Sequence, residues 1–279
     1  MLKTKSIIVV TWDGKSQPLS HILNDCSRAF DLLLYDYSGQ ANAGIVDSVK
    51  PSFLLSKKSE CKGDVLLNVY SFLQTIETST YEYIGLLDDD LYFSNSDLNK
   101  LLFIANLEKL DVFQASLTHD SYYHHRQFIH KPGYLVQDTW WVEIMAPFYR
   151  MEVFLQAGPL LNHSISGTGV DVYLIPTVQR LIGKNKTAIV HAIQMKHCRP
   201  IRTDNRIFSN GKNNLQEIAE LQIVCKQLAT SRPELFDEAF NKNILNRKYI
   251  YGIPLQYKIQ RIGPMIKNLY KLLVDASYR

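Results

Sequence analysis

Apolar positions follow two rhythms along most of the chain. Ile7-Ile8-Val9-Val10 is an unbroken β-branched run ending at Thr11-Trp12-Asp13-Gly14, the pattern of a strand buried on both faces whose carboxyl end opens into a loop. Leu32 to Tyr37 repeats it, with the polar stretch from His21 to Arg28 between them as a crossover helix. Ser52 to Ser56 predicts a third short strand. Val65, Leu66, Val69, Phe72, Leu73 and Ile76 recur at helical spacing and predict a helix over Asp64 to Thr78. Tyr83 to Leu87 is then a buried strand that runs directly into three aspartates. Further along, the pattern predicts a helix from Ser96, its cap, to Leu110, and strands at Val112 to Leu117 and Trp141 to Phe148. Helices at Met151 to Leu161 and Val170 to Leu181 and a last short strand at Thr187 to Ile193 follow. Thr118 to Trp141 has no periodicity, is rich in His, Tyr and Trp, and contains Lys131-Pro132-Gly133, so it reads as a loop-dominated region.

This alternation predicts an α/β fold with a central, mostly parallel sheet flanked by helices, and such sheets bind ligands outside the carboxyl ends of their strands. After Pro200 the character changes. Leu215 to Thr230 is a strongly amphipathic helix, and Lys242 to Arg279 mixes basic with apolar residues. The expected organisation is therefore a catalytic domain over residues 1–200 and a helical, basic C-terminal extension over 201–279. Met265, Ile266, Leu269, Leu272 and Leu273 share one helical face, which suits either peripheral contact with an anionic membrane surface or packing on the domain. No apolar run is long enough to span a bilayer.

The 279 residues are 46% hydrophobic and 21% charged, an ordinary globular balance that argues against disorder. A net charge of +4 lacks the dense basic stripe of nucleic-acid binding, so no nucleic-acid partner is expected. Cys26, Cys61, Cys198 and Cys225 are widely separated, with neither disulfide nor zinc spacing. Together with an N-terminal apolar stretch too short for a signal peptide, this predicts a cytoplasmic protein.

Asp88, Asp89 and Asp90 carry the chemistry. Three consecutive carboxylates at the end of an apolar strand repel one another, and a divalent cation relieves that repulsion. Hard oxygen ligands suit Mn²⁺ or Mg²⁺, whose open positions take substrate phosphates. The plain alternative is a solvated turn leading to the next helix.

Context favours the metal. Tyr83 to Phe93, YIGLLDDDLYF, resembles the Asp-x-Asp motif of the GT-A glycosyltransferases, which follows an apolar strand and holds a metal against the diphosphate of a sugar nucleotide. More narrowly, Asp88-Asp89-Asp90-Leu91, Val142-Glu143-Ile144-Met145-Ala146-Pro147 and Gly167-Thr168-Gly169-Val170-Asp171 resemble, in the same order, the blocks of the plant and bacterial unknown-function family 707. The resemblance spans residues 6 to 200 and implies a GT-A-like sandwich. It also implies a metal-dependent, inverting transfer from a nucleotide sugar, a UDP-sugar being the usual donor. The acceptor it implies is a glycan or lipid-linked saccharide, as in surface polysaccharide synthesis.

The same resemblance implies Asp88, Asp90 and His197 as metal ligands, with Asp88 and Asp89 facing the donor. It implies Asp171 as the base that deprotonates the acceptor hydroxyl, although a carboxylate there also suits a plain helix cap. Glu143, in the apolar run WWVEIMAP, is the second candidate. Thr11, Trp12 and Asp13 stand where base and ribose bind, Asp36 as a ribose ligand, and Lys62 near the nucleotide. His119, Tyr122, His124, His125 and Trp140 suit an acceptor site, since aromatic faces stack on sugar rings. The rival functions are a sugar nucleotidyltransferase and an inactive carbohydrate-binding module.

Overall fold

The computed structural model describes residues 5–16, 28–200 and 206–247. Four strands form the parallel half of the sheet: β1 (Lys5–Trp12), β2 (Asp31–Asp36), β3 (Phe53–Ser56) and β4 (Tyr81–Leu87). β1 pairs in parallel with β2 and β4, and β2 with β3. The other half contains β5 (Leu91–Tyr92), β6 (Val112–Leu117), β7 (Val136–Asp138), β8 (Phe148–Arg150) and β9 (Thr187–His197). β8 joins the halves by pairing antiparallel with both β4 and β6, while β9 runs parallel to β6. The spatial order is β3-β2-β1-β4-β8-β6-β9-β5, with β7 on β9. The mostly parallel, helix-flanked sheet read from the sequence is thus what forms.

The helices are α1 (Ala43–Val49), α2 (Lys62–Leu73), α3 (Asn95–Glu108), α4 (Met151–Ala157), α5 (Ile175–Leu181), α6 (Asn214–Ser231) and the single turn α7 (Glu238–Phe240). Ile7 to Val10 and Leu32 to Leu34 are completely buried, as strands covered on both faces require. Ile218, Leu221, Cys225 and Ala229 of α6 enter the same core, as do Ile244 and Leu245.

Several local expectations change. The cap of α3 is Ser94, whose hydroxyl accepts from the Asp97 N–H at 3.0 Å, not Ser96. Trp141 to Pro147 is not strand. Trp141, Val142, Met145 and Ala146 are buried, so the stretch reads as one apolar run, but its backbone is satisfied by side chains and by β4. Glu143 N donates to Gln114 Oε1 at 2.5 Å and Ile144 N to Asp171 Oδ2 at 3.2 Å, while Asp88 N donates to the Met145 carbonyl at 3.0 Å. Periodicity alone cannot separate such a buried coil from a strand. Val170 to Leu174 is a wide π-type turn ahead of α5, consistent with Pro176, which lacks the N–H that an uninterrupted α-helix from Val170 would donate to the Val172 carbonyl. The last strand extends four residues past Ile193 to His197, which carries that histidine to the cleft. α1 was not anticipated. The crossover helix at His21 to Arg28 falls almost wholly outside the described residues, as does the amphipathic stretch from Met265. Among the described residues no helix is long and apolar enough to cross a membrane.

Candidate active site

β4 ends at Leu87, and the next three residues place their carboxyl groups in a cleft bounded by the ends of β1, β2 and β9. Each aspartate meets a different set of partners. Lys62, the first residue of α2, forms an ion pair with Asp88 Oδ1. Asp89 accepts from the Tyr37 hydroxyl at 3.1 Å and pairs with Arg199. Asp90 Oδ2 lies 3.2 Å from His197 Nε2 and 3.2 Å from Arg199 Nε. Asp90 Oδ1 is buried with no hydrogen-bond partner among the described residues. Burial raises Asp88 and Asp89 above the usual carboxylate range against the pull of Lys62 and Arg199. At Asp90 burial also opposes ionisation, but the His197 hydrogen bond and charge prevail and hold the carboxyl below that range.

His197 is oriented from behind. A carbonyl oxygen can only accept, so the 2.9 Å contact between His197 Nδ1 and the Tyr122 carbonyl makes Nδ1 the protonated nitrogen. In the neutral ring Nε2 therefore presents a lone pair to the Asp90 carboxylate. Two acceptors at 3.2 Å need a cation between them, either a proton or a metal. Burial works against the imidazolium, but the Asp90 hydrogen bond and charge win and raise the histidine above its ordinary value.

The residues fit a hard divalent cation in donor chemistry: two carboxylates, an imidazole held by a backbone carbonyl, and one unsatisfied carboxylate oxygen. Among the described residues, however, no three His, Cys, Asp or Glu side chains converge at ligating distance, and Asp88 is paired with Lys62. Arg199 and Tyr37 were not singled out in the sequence. An Arg just past a strand and a Tyr next to Asp36 carry no local signal; only the sheet order brings them to the triplet.

Loop 164–169 closes one side of the cleft through contacts too close for any side chain. A Cβ at Gly63 would lie 1.8 Å from the Ser164 carbonyl oxygen, and one at Gly167 would lie 3.1 Å from the Gly63 nitrogen. Glu217, fully buried in the first turn of α6, holds this loop. Its carboxylate accepts from Ile165 N at 2.9 Å, Ser166 N at 3.0 Å, Ser164 Oγ at 3.2 Å and Asn210 Nδ2 at 2.8 Å. A first-turn Glu on an amphipathic helix reads in sequence as solvated, so this clamp was invisible there.

Beyond Gly169 the chain delivers Asp171 to a second acidic pair. Its Oδ2 accepts from Ile144 N at 3.2 Å, which sets it against the peptide of Glu143. Both carboxyl groups are more than nine-tenths buried. Burial pushes Asp171 up to about 7, against three backbone hydrogen bonds and the charge of Arg247. Burial, then the charge of Asp171, lifts Glu143 further above its ordinary value, and its Oε2 has no partner among the described residues. The two groups thus have different proton affinities, Asp171 being the one that ionises near neutrality. His125 stands nearby, its ring edge-on to Trp141 at 4.7 Å, and burial depresses it to about 4. The Arg247 guanidinium lies 5.3 Å from the Trp141 ring, and its backbone carbonyl accepts from Tyr173 Oη at 2.8 Å. Arg247 belongs to the basic stretch from Lys242, and of the two places open to that stretch it takes packing on the domain, beside this second acidic pair.

The candidates on the first two strands are corrected. Trp12 is fully buried and donates to the Ser16 carbonyl at 2.7 Å, so its ring belongs to the core and not to a surface that a base would meet. Asp36 is also fully buried: Ser38 N at 2.8 Å, Ser38 Oγ at 2.7 Å and Ser56 Oγ at 2.6 Å use its oxygens. It organises the loop and does not present a carboxylate to a ribose. The β1 loop presses against it so tightly that a Cβ on Gly14, at φ +77°, would lie 2.6 Å from Asp36 Oδ1. Thr11 is buried beneath, and Asp13 caps its own loop by accepting from Lys15 N and Ser16 N, both at 2.9 Å.

Of the residues expected at an acceptor site, Tyr122 holds His197 with its backbone carbonyl, and His124 adjoins His125 at 6.1 Å between ring centres. His119 is exposed in the loop after β6. Trp140 does not join them. It faces a separate shallow recess with Phe240, Pro176 and Gln179, near the start of β9, whereas the aspartates meet the end of that strand.

No protein-family model matches the chain, and no curated protein sequence does, so the narrower resemblance to family 707 finds no support. Solved structures do match. Residues 1–349 of S. aureus TarS in complex with UDP-GlcNAc superpose with a TM-score of 0.55 at 13% identity, covering 87% of this chain and 70% of that one. The same TarS fragment in complex with UDP gives 0.53 at 12% identity, over 87% and 69%. Without ligand it gives 0.53 at 10% identity, over 87% and 69%. This likeness, together with the mostly parallel sheet and its flanking helices, identifies the fold of the chain as GT-A-like.

Proposed function

We propose that this protein is a glycosyltransferase that moves a sugar from a nucleotide-sugar donor, a UDP-sugar, to a saccharide or lipid-linked glycan acceptor with inversion. The carrying observation is the acidic triplet at the carboxyl end of β4, in a GT-A-like sheet whose matched neighbour binds UDP-GlcNAc, with a buried acid pair, Asp171 and Glu143, on an adjoining loop. Asp88, Asp90 and His197 would hold Mn²⁺ or Mg²⁺, which supplies charge neutralisation for the leaving diphosphate. Asp13, partly exposed just past β1, would stand at the nucleotide end of the cleft.

The chain's own residues supply the rest. Asp171, raised to about 7 by burial, accepts the proton of the acceptor hydroxyl as that oxygen attacks the anomeric carbon. Glu143, more strongly raised, stays protonated and offers a hydrogen bond. His125, held neutral by burial, suits a hydrogen bond to a sugar hydroxyl, with the buried Trp141 ring as its backing. Membrane contact by the tail beyond residue 247 and a cytoplasmic location complete the reading.

Incubation with Mn²⁺ and a panel of nucleotide sugars tests it. Release of nucleoside diphosphate, accelerated by an acceptor glycan, is the expected result. Release of pyrophosphate from a sugar phosphate and nucleoside triphosphate would instead mark a nucleotidyltransferase, and no release at all a binding module.

A further inference from the structure

The acidic triplet is closed by the chain's own cations. Lys62 pairs with Asp88, and Arg199 reaches both Asp89 and Asp90. We infer that Lys62 and Arg199 are exchangeable counter-ions: they neutralise the aspartates before donor binds, and they pass to the donor's diphosphate when a divalent cation takes their place. This inference rests on reading the triplet as a metal site and adds to it a way in which metal and nucleotide help each other bind.

Charge balance carries the argument. Three carboxylates with one lysine and one arginine leave a single net negative charge. A divalent cation added to that set makes it net positive, and a diphosphate is then attracted. Without the two side chains the same cation leaves the carboxylates in excess, and a diphosphate is repelled. The two residues are therefore needed in the cleft in both states, but on different anions.

Geometry permits the exchange. The Arg199 side chain is 53% exposed while its Asp89 partner is 12% exposed, so the guanidinium approaches from the solvent side and leaves without unpacking the core. Cys198 N donates to the Asp90 carbonyl at 2.8 Å, which anchors the backbone beside the triplet whichever way Arg199 points. Half-exposed ion pairs are weak and easily traded, and the planar guanidinium fork matches phosphate oxygens as well as carboxylate ones. Lys62 is held at the start of α2 by the tight approach of Gly63 to Ser164, so its reach is confined to the cleft. Asp90 Oδ1, buried and unpartnered among the described residues, is the oxygen that neither cation satisfies.

Mn²⁺ binding to the full chain, measured by electron paramagnetic resonance with and without UDP, tests the inference, with UDP binding followed by calorimetry. The expectation for the wild type is weak Mn²⁺ binding alone and binding tightened on the order of tenfold by UDP, with UDP tightened equally by Mn²⁺. Arg199→Gln and Lys62→Met should each bind Mn²⁺ alone about tenfold more tightly, because a competitor is gone, yet bind UDP in the presence of Mn²⁺ more weakly, so that the mutual tightening collapses. Arg199→Lys, which keeps the charge but not the fork, should fall between. If both charge-removing variants bind Mn²⁺ alone no better than the wild type, the inference is overturned and the metal site stands. If the wild type binds no Mn²⁺ with or without UDP, the metal reading falls and takes the inference with it. Circular dichroism of each variant confirms that changes in binding are not loss of fold.

Discussion

His197 donates from Nδ1 to the Tyr122 carbonyl at 2.9 Å, and this single bond decides which nitrogen faces Asp90. The loop after β6 thereby fixes the ring that the end of β9 turns toward the acidic triplet, so that side of the triplet depends on a segment without regular structure.

Asp90→Asn is expected to abolish metal-dependent nucleotide release while leaving the fold intact. It breaks the half-exposed Arg199 pair, worth about 1 kcal/mol or less, and the buried His197 contact, but it also relieves the repulsion among three crowded carboxylates, so Tm should move by only a few degrees. Unchanged turnover would refute the metal role.

Asp171→Asn should lower kcat about 10²- to 10⁴-fold, with wild-type kcat/KM rising through about pH 7 as the carboxyl ionises. The same shift governs stability. The folded value lies above the ordinary carboxylate value of 3.8, so from there to about pH 7 the native state holds a proton that the unfolded chain has lost. The stabilisation is full at acid pH and disappears as pH rises through 7. Thermal melts should show Asp171→Asn gaining on the wild type between about pH 4 and 7 and levelling off above; a constant difference would argue that the group is not buried as described.

Arg247→Ala removes the cation whose field lowers Asp171, so the pH profile of transfer should shift upward while donor hydrolysis without acceptor persists. A chain ending at Asn241 should do worse. It also loses Ile244 and Leu245, both buried, at about 2 kcal/mol or more each for side chains of that size. Wild-type Tm for that chain would show that residues 242–247 are dispensable to the core.

Glu217→Ala strands four donors that now converge on one buried carboxylate. The cost should exceed about 3 kcal/mol, and loop 164–169 should become protease-sensitive. Glu217→Gln keeps the shape but exchanges one acceptor for a donor and should fall between. Equal Tm values across the three would remove the clamp.

The sequence by itself determined the elements whose pattern repeats over several residues. The β-branched run at Ile7 and the leucine run at Leu32 read as doubly covered strands, and a strand ending in Asp88-Asp89-Asp90 reads as one that puts charge at a sheet edge, because side-chain burial follows from local period and composition. The apolar run from Trp141 to Pro147 misled because hydrophobicity reports burial and not backbone shape; its N–H groups go to Gln114 and Asp171, distant in sequence. Tertiary structure alone decided the partners. Arg199, Tyr37 and Arg247 meet the acidic groups, Trp12 and Asp36 turn inward, Trp140 turns away and Glu217 holds a loop. Each of these is a contact between segments far apart in the chain, fixed by sheet order and by glycines that let backbones touch, and no local pattern encodes either.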